Sequence, residues 1–250
     1  MNSKLKKRTK IALGLIPVYV IVLVLIGSLI YLSISYKPMT EALDAMESTS
    51  EITVVDGKKW ISFTPTENAS TTGFIFYPGG NVEPESYSII ARNIALKGFP
   101  VFLVKMPFDL AIFAPNRGGE IIEAHSEITD WIIGGHSLGG AMSVRSVYDS
   151  SDLFSGLVLL AAYPDDSNNI SSYDIPVITI YGTEDGILSK PISDTLDLLP
   201  ANTTVLEIVG GNHAYFGSYG DQKGDNVATI TRADQQNQTV ITITNFLLSI

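Results

Sequence analysis

Residues 131–142 of this chain read WIIGGHSLGGAM, and this stretch decides the fold. A strand-like apolar run, Trp131–Ile133, enters Gly-Gly-His-Ser-Leu-Gly-Gly, and a helix-compatible sequence follows. This is the pattern of a nucleophile elbow, a sharp strand-to-helix turn that exposes the hydroxyl of Ser137 at the carboxyl end of the strand. A side chain at Gly135 or Gly139 would crowd the neighbouring backbone in so tight a turn. The alternative is a plain glycine turn in which Ser137 only caps the helix.

Length and composition favour one packed domain with an appendage. The chain has 250 residues, of which 45% are hydrophobic, and it has no cysteine. A disulfide framework, a thiolate zinc site and a cysteine nucleophile are therefore excluded. Five of the 16 basic residues lie in the first ten positions, so the remaining chain carries 11 basic residues against 26 acidic ones, a balance of −15. Nucleic acid is not expected as a partner of so acidic a chain.

The N-terminal region has the pattern of a membrane anchor. A basic head, residues 1–10, precedes residues 11–34, which carry no charge and are long enough to form one transmembrane helix. The positive-inside rule then predicts a single-pass protein of the cell membrane, with its N-terminus in the cytoplasm. We expect a short stalk, residues 35–51, and a globular domain, residues 52–250, on the extracellular face. A cleaved signal peptide is the alternative, but its apolar region would be only about 7–15 residues long.

Short apolar runs alternate with helix-compatible segments through the globular domain. Besides the elbow strand, strands are expected near residues 52–55, 60–63, 73–77, 101–104, 156–162, 177–181 and 205–209. Helices are expected near residues 84–97, 116–124, 138–148 and 192–199, and from about residue 240. Asp56-Gly57 predicts a hairpin between the first two strands. Strands that are apolar throughout and alternate with helices predict an α/β fold with a mostly parallel sheet covered on both faces.

A serine nucleophile needs a histidine base, and the chain has three histidines. His136 adjoins Ser137 within the turn, and we interpret it as structural. His125 precedes the elbow strand and would approach from the wrong end of the sheet. His213 follows the last strand on a glycine-rich loop, at the carboxyl edge of the sheet, and is the candidate general base.

The candidate acid lies in the polar loop that follows the strand at residues 177–181. Asp185 is preferred and Glu184 is the alternative, because sites of open α/β sheets lie at the carboxyl ends of the strands. The chain order Ser137, Asp185, His213 is the order expected of one particular fold.

Together these residues resemble the α/β-hydrolase superfamily over about Ile52–Ile250. The resemblance is carried by GHSLG at residues 135–139, GTED at residues 182–185 and GNH at residues 211–213. Within the superfamily the chain is similar to the compact dienelactone-hydrolase-like group, and residues 76–80 and 211–220 are similar to those of bacterial membrane-anchored or secreted hydrolases. The resemblance implies a doubly wound sheet. Dienelactone hydrolases proper use a cysteine nucleophile, so their particular activity is not expected here.

The resemblance implies a carboxylic-ester hydrolase that works through an acyl-enzyme without a cofactor. The N–H groups of an oxyanion hole would come from Leu138 and from Gly80 or Asn81. Acyl transfer by the same residues and a catalytically inactive extracellular binding module are the alternatives. Only residues 163–175 separate two neighbouring strands at the position where lids usually enter, too few for a lid domain. We therefore expect an open site that accepts small-molecule or cell-surface esters.

No metal site is expected. Asp221 and Asp225 flank Gly224, a combination that faintly suggests a calcium-binding loop, but their spacing matches no such loop.

Overall fold

The computed structural model describes residues 16–28 and 35–250. Its contacts divide the chain into two compact units, Met1–Ser35 and Tyr36–Ile250. In the first unit, residues 16–28 form helix α1, whose side chains are exposed.

The expected basic head, residues 1–10, lies outside the described residues, as do both ends of the expected transmembrane helix, residues 11–15 and 29–34. Within the two described ranges, no helix is both long enough and apolar enough to span a bilayer.

The second unit contains eight strands and five α-helices. The strands are β1 (Ile52–Asp56), β2 (Trp60–Pro65), β3 (Thr72–Tyr77), β4 (Val101–Val104), β5 (Asp130–His136), β6 (Gly156–Leu160), β7 (Val177–Gly182) and β8 (Thr204–Ile208). The helices are α2 (Thr40–Asp44), α3 (Ser88–Ala95), α4 (Gly118–Ala124), α5 (Leu138–Asp149) and α6 (Arg232–Leu247).

All eight strands form one sheet in the order β1-β2-β4-β3-β5-β6-β7-β8. The pairs β1–β2 and β2–β4 are antiparallel, and every other pair is parallel. The turn between β1 and β2 is the predicted hairpin, in which the Gly57 N–H donates to the Trp60 carbonyl. The expected α/β fold with a mostly parallel sheet is confirmed.

The central strand β3 shows why the sheet is covered on both faces. Successive side chains of a strand point to opposite faces. Phe74 and Phe76 are buried in the same apolar cluster as residues of α3 and α6. Ile75 and Tyr77 are buried in a second cluster with residues of α4 and α5. Because both faces of the sheet are packed, the core strands are apolar at nearly every position.

Three expected helices differ in their bounds or type. The segment at residues 84–97 opens as a 3-10 turn, Pro84–Tyr87, before α3 begins. The segment at residues 192–199 is a 3-10 helix, Ile192–Leu198. The last helix begins at Arg232 instead of near residue 240. Its first turns are polar, so they lack the apolar periodicity that predicts a helix.

The N-terminal boundary of the globular unit differs from the expected one. Residues 35–51 were expected to form a stalk, but Tyr36 begins the compact unit. The Tyr36 N–H donates to the Asn81 carbonyl at 2.7 Å, and the Tyr36 ring lies 5.4 Å from that of Tyr219. Helix α2 buries Ala42 completely. Aromatic packing and backbone pairing therefore attach this segment to the domain.

Candidate active site

Ser137 lies in the turn between β5 and α5, with φ 53° and ψ −123°. Its N–H donates to the Leu160 carbonyl at 2.9 Å, which ties the turn to β6. A Cβ atom at Gly139 would lie 2.2 Å from the Tyr77 carbonyl oxygen, and one at Gly135 would lie 2.5 Å from the same atom. Only glycine fits at either position, as the sequence predicts.

His213 and Asp185 form a buried pair. Nδ1 of His213 lies 2.7 Å from Oδ2 of Asp185, and the two side chains are 1% and 3% exposed. A carboxylate can only accept, so Nδ1 carries the proton and Nε2 presents a lone pair. The structure therefore brings together the predicted base and the preferred acid.

The second oxygen of Asp185 is held by its own loop. Oδ1 accepts the N–H groups of Ile187 and Leu188 at 2.8 and 2.9 Å. Glu184, the alternative acid, places its carboxylate 3.4 Å from the Thr183 hydroxyl. The local hydrogen bonds thus fix Asp185, and not Glu184, against the histidine.

Ser137 and His213 line one cavity of about 260 Å³. Nε2 of His213 is buried and has no hydrogen-bond partner within the described part of the chain, so it forms no hydrogen bond with Ser137 Oγ. Catalytic hydrogen bonds of this kind are often long in the free enzyme and tighten when substrate binds. The remaining walls are mainly aliphatic: Leu138, Ala141, Ala161, Ala162, Ile187 and Leu188. Tyr163 and Ser189, whose hydroxyls lie 2.5 Å apart, complete the lining.

The two predicted oxyanion residues lie side by side. A Cβ atom at Gly80 would lie 3.4 Å from Cβ of Leu138. The N–H of Gly79 donates to the Tyr87 hydroxyl at 3.0 Å, and the N–H of Asn81 donates to the Asp109 carbonyl at 2.9 Å. Among residues 35–250, the N–H groups of Gly80 and Leu138 have no acceptor. Of Gly80 and Asn81, the structure therefore favours Gly80. The amide of Leu138 also opens helix α5, whose dipole favours negative charge.

His136 is buried behind the turn. Its Nδ1 lies 2.9 Å from the Tyr87 hydroxyl oxygen, which also accepts the Gly79 N–H at 3.0 Å. Burial lowers the pKa of His136 well below its usual 6.5, and the neighbouring His213, whose ring centroid is 4.5 Å away, lowers it further. His136 is thus a neutral, structural residue, and no sequence pattern predicts that Tyr87 is its partner.

His125 lies far from this constellation, as expected. It directly follows α4 and precedes β5, and its Nδ1 lies 2.8 Å from a carboxylate oxygen of Glu127. Its ring packs against Phe102 at 4.6 Å. His125 therefore has a local role away from Ser137.

The His213 loop is held by a residue that sequence reasoning missed. The fully buried Gln235 accepts the Asn212 N–H at 3.0 Å and donates to the Asn212 carbonyl at 2.7 Å. Gln235 lies in the first turn of α6, and the Thr231 side chain that caps this helix accepts the Asp234 N–H. The Thr-x-x-Asp pattern at residues 231–234 was the signal that could have placed the helix start here.

The acidic residues around Gly224 are separated in the structure. The Asp221 side chain is 93% exposed and lies 4.0 Å from Arg232, whereas the Asp225 carboxylate accepts backbone N–H groups. Within the described residues no group of three or more metal-binding side chains is placed to hold a metal ion.

Comparison with known proteins assigns the family. Residues 73–237 match the alpha/beta hydrolase family, and this chain belongs to that family. The match includes Ser137, Asp185 and His213. No curated protein matches the chain in sequence.

Solved structures with the same fold include several esterases. Carboxyl esterase 2 from the fungus Tuber melanosporum has a TM-score of 0.62 at 13% identity, covering 85% of this chain and 90% of its own. Est1E from Butyrivibrio proteoclasticus has a TM-score of 0.57 at 13% identity, covering 80% and 98%. A dienelactone hydrolase from Anabaena variabilis has a TM-score of 0.57 at 12% identity, also covering 80% and 98%. At these identities the likeness concerns the fold.

Proposed function

We propose that this chain hydrolyses carboxylic esters, with Ser137 as nucleophile, His213 as general base and Asp185 as the residue that orients the base. The observation that carries the proposal is the buried 2.7 Å pair of His213 and Asp185, whose free Nε2 atom faces no other partner among the described residues. His213 also lines the same cavity as Ser137, which supports its role as the base.

The proposed reaction has two halves. Ser137 Oγ attacks the ester carbonyl carbon while His213 Nε2 accepts its proton, and the Gly80 and Leu138 N–H groups stabilise the negative carbonyl oxygen. The tetrahedral intermediate then expels the alcohol, which receives the proton from Nε2. Water, activated by the same nitrogen, attacks the acyl-enzyme, and the carboxylic acid leaves with Ser137 restored. Asp185 keeps the proton on Nδ1 throughout.

The cavity supports esters of short acyl chains. At roughly 30 Å³ per small heavy atom, about 260 Å³ holds on the order of nine atoms. Its aliphatic walls suit a hydrocarbon chain, and between β6 and β7 the described chain forms no helix or strand that could act as a lid. A short acyl group would occupy the cavity, and the alcohol part of the ester would extend into solvent.

Ester hydrolysis by the full chain in detergent tests this proposal. Wild-type protein should hydrolyse p-nitrophenyl acetate or butyrate, and Ser137→Ala should lose at least 1,000-fold in kcat. Asp185→Asn should lose about 10,000-fold, because the histidine would be held in the wrong tautomer. Ser151→Ala, at an exposed serine, is the control and should stay within twofold. Undiminished hydrolysis by Ser137→Ala would refute the assignment.

The membrane anchor forms a further part of the proposal. Residues 11–34 would cross the cell membrane once and leave the hydrolase domain on the extracellular face, supported by the uncharged span and the basic head before it. The full chain should sediment with membranes after carbonate extraction, and protease added to intact cells should degrade the domain. Release of the protein by carbonate, or protection of the domain in intact cells, would contradict the anchor.

A further inference from the structure

The carboxylate of Asp225 bridges the two loops that carry Asp185 and His213. Its Oδ1 accepts the Gly186 N–H at 2.9 Å, and its Oδ2 accepts the Ala214 N–H at 2.8 Å. Gly186 directly follows Asp185 and Ala214 directly follows His213. One side chain therefore joins the backbone immediately beyond each member of the buried pair.

The bridge needs a carboxylate. Both donors are backbone N–H groups, so both oxygens must accept, and hydrogen bonds to a charged acceptor are stronger than neutral ones. An asparagine could accept one N–H, but its amide nitrogen would face the other donor. Oδ1 also accepts the Asn226 N–H at 3.0 Å, which fixes the carboxylate on its own loop.

Asp225 completes the restraint on His213. The peptide before His213 is fixed by Gln235 through both Asn212 backbone groups. The peptide after His213 is fixed by Asp225. The two loops are also joined by the Glu184 N–H, which donates to the Gly211 carbonyl at 2.8 Å, but this bond precedes both Asp185 and His213. Without Asp225, the backbone beyond the two residues would lose its link, and the 2.7 Å contact between their side chains would lengthen.

We infer that Asp225 is a positioning residue, which sets the geometry of the Asp185–His213 pair by joining the backbones of their two loops. The inference rests on the proposed ester hydrolysis for its effect on rate. Asp225 does not line the cavity that contains Ser137, so its loss should lower kcat and leave KM nearly unchanged. A misplacement of about 1 Å in such a constellation can cost on the order of 100-fold in rate.

The test compares Asp225→Asn with Asp221→Asn in the full chain. Asp221 is a matched control, since it lies in the same loop and loses the same charge but is 93% exposed. Hydrolysis of p-nitrophenyl butyrate is measured per serine that a fluorophosphonate labels when the labelling has run to completion, so unfolded molecules do not count and slowly labelled ones do. Asp225→Asn should lose 10- to 100-fold in kcat with KM within twofold, and Asp221→Asn should change neither more than twofold.

A small carboxylate provides a rescue that a general loss of stability would not show. In Asp225→Ala, formate can accept from both exposed N–H groups, and kcat should rise several-fold in a saturable way. In Asp225→Asn the amide fills the space, and formate should have no effect.

Hydrogen exchange tests the Asp225 bridge independently of catalysis. In Asp225→Asn, amides in peptides covering residues 183–188 and 212–216 should exchange faster than in wild type and in Asp221→Asn. Exchange that stays unchanged in both peptides, or a kcat within twofold of wild type, overturns the inference. If the wild type hydrolyses no ester, the proposed function fails, and faster exchange in both peptides still supports the bridge.

Discussion

Ser137 has a backbone conformation that side chains rarely adopt, with φ at 53°. A non-glycine residue in such a region costs on the order of 1–3 kcal/mol. The surrounding turn enforces this cost, because glycines on both sides approach the Tyr77 carbonyl and the Ser137 N–H is bonded to β6. A residue kept under strain in the lining of a cavity is typical of a functional position.

This strain predicts a difference in stability between two variants that lack the proposed nucleophile. Ser137→Gly should unfold with a free energy about 1 kcal/mol higher than Ser137→Ala, because glycine tolerates the positive φ and alanine does not. Denaturation by urea measures both values. Equal stabilities, or a less stable glycine variant, would mean that the turn stores no strain at Ser137.

His136 predicts a pH dependence of stability. Its pKa is well below 6.5 in the folded chain, mainly because it is buried, whereas in the unfolded chain it titrates near 6.5. Below pH 6.5 the unfolded state binds the extra proton, so this group's contribution to stability is complete above that pH and is lost as the pH falls. The expected slope is about 1.4 kcal/mol per pH unit.

The variant His136→Asn isolates this effect. The Asn amide can form a hydrogen bond with the Tyr87 hydroxyl in place of Nδ1, but it does not titrate. Between pH 7 and pH 5 the unfolding free energy of wild type should therefore fall more steeply than that of the variant. Parallel curves would show that His136 takes up its proton in the folded chain.

At the scale of elements, the segment that begins at Tyr36 holds two loops of the site. Tyr36 pairs with the loop that follows Gly80, since its N–H donates to the Asn81 carbonyl and its own carbonyl accepts the Glu83 N–H at 3.1 Å. Its hydroxyl accepts the Lys223 N–H at 3.3 Å, and its ring packs on Tyr219 of the His213 loop. The segment is thus part of the folded domain.

Two substitutions at Tyr36 separate packing from hydrogen bonding. Tyr36→Ala should lower the free energy of unfolding by about 2 kcal/mol, because a half-buried ring is removed. Tyr36→Phe loses only the hydroxyl and should cost about 0.5–1 kcal/mol. Thermal or urea denaturation measures both. A Tyr36→Ala variant as stable as wild type would indicate a loose segment.

Elements were predictable where one local pattern determined them. The strands were found because each is a short apolar run between turn residues, and the elbow was found because its glycines are required by contacts within the turn itself. The start of helix α6 was not predicted, because its first turns are polar and its buried Gln235 contacts a loop that is remote in sequence. The packing of Tyr36 was not predicted because its partner, Tyr219, is also remote in sequence.

At the scale of the whole molecule, the sequence predicted that Asp185 and His213 lie together but not what holds them. The carboxyl ends of parallel strands meet at one edge of the sheet, which placed Asp185 and His213 together. The supporting contacts of Tyr87, Gln235 and Asp225 join residues between 8 and 49 positions apart. No periodic or local pattern in the sequence predicts such contacts.

The proposed binding mode predicts a preference for short acyl chains. With room for on the order of nine small atoms, p-nitrophenyl acetate and butyrate should be hydrolysed at least tenfold more efficiently, in kcat/KM, than the decanoate. Ile187→Ala, which removes part of one wall, should move the preferred chain length upward by about two carbons. Activity that climbs steadily to long acyl chains would contradict the proposed binding mode.

The most direct measurement is fluorophosphonate labelling of the full chain, with the labelled residue located by mass spectrometry. The account predicts stoichiometric labelling at Ser137 in wild type, no labelling in Ser137→Ala, and labelling slowed at least 1,000-fold in His213→Ala. A folded wild-type chain that does not label would contradict an activated serine and favour a binding role for the same fold. Labelling that is equally fast without His213 would contradict the role of His213 as the base.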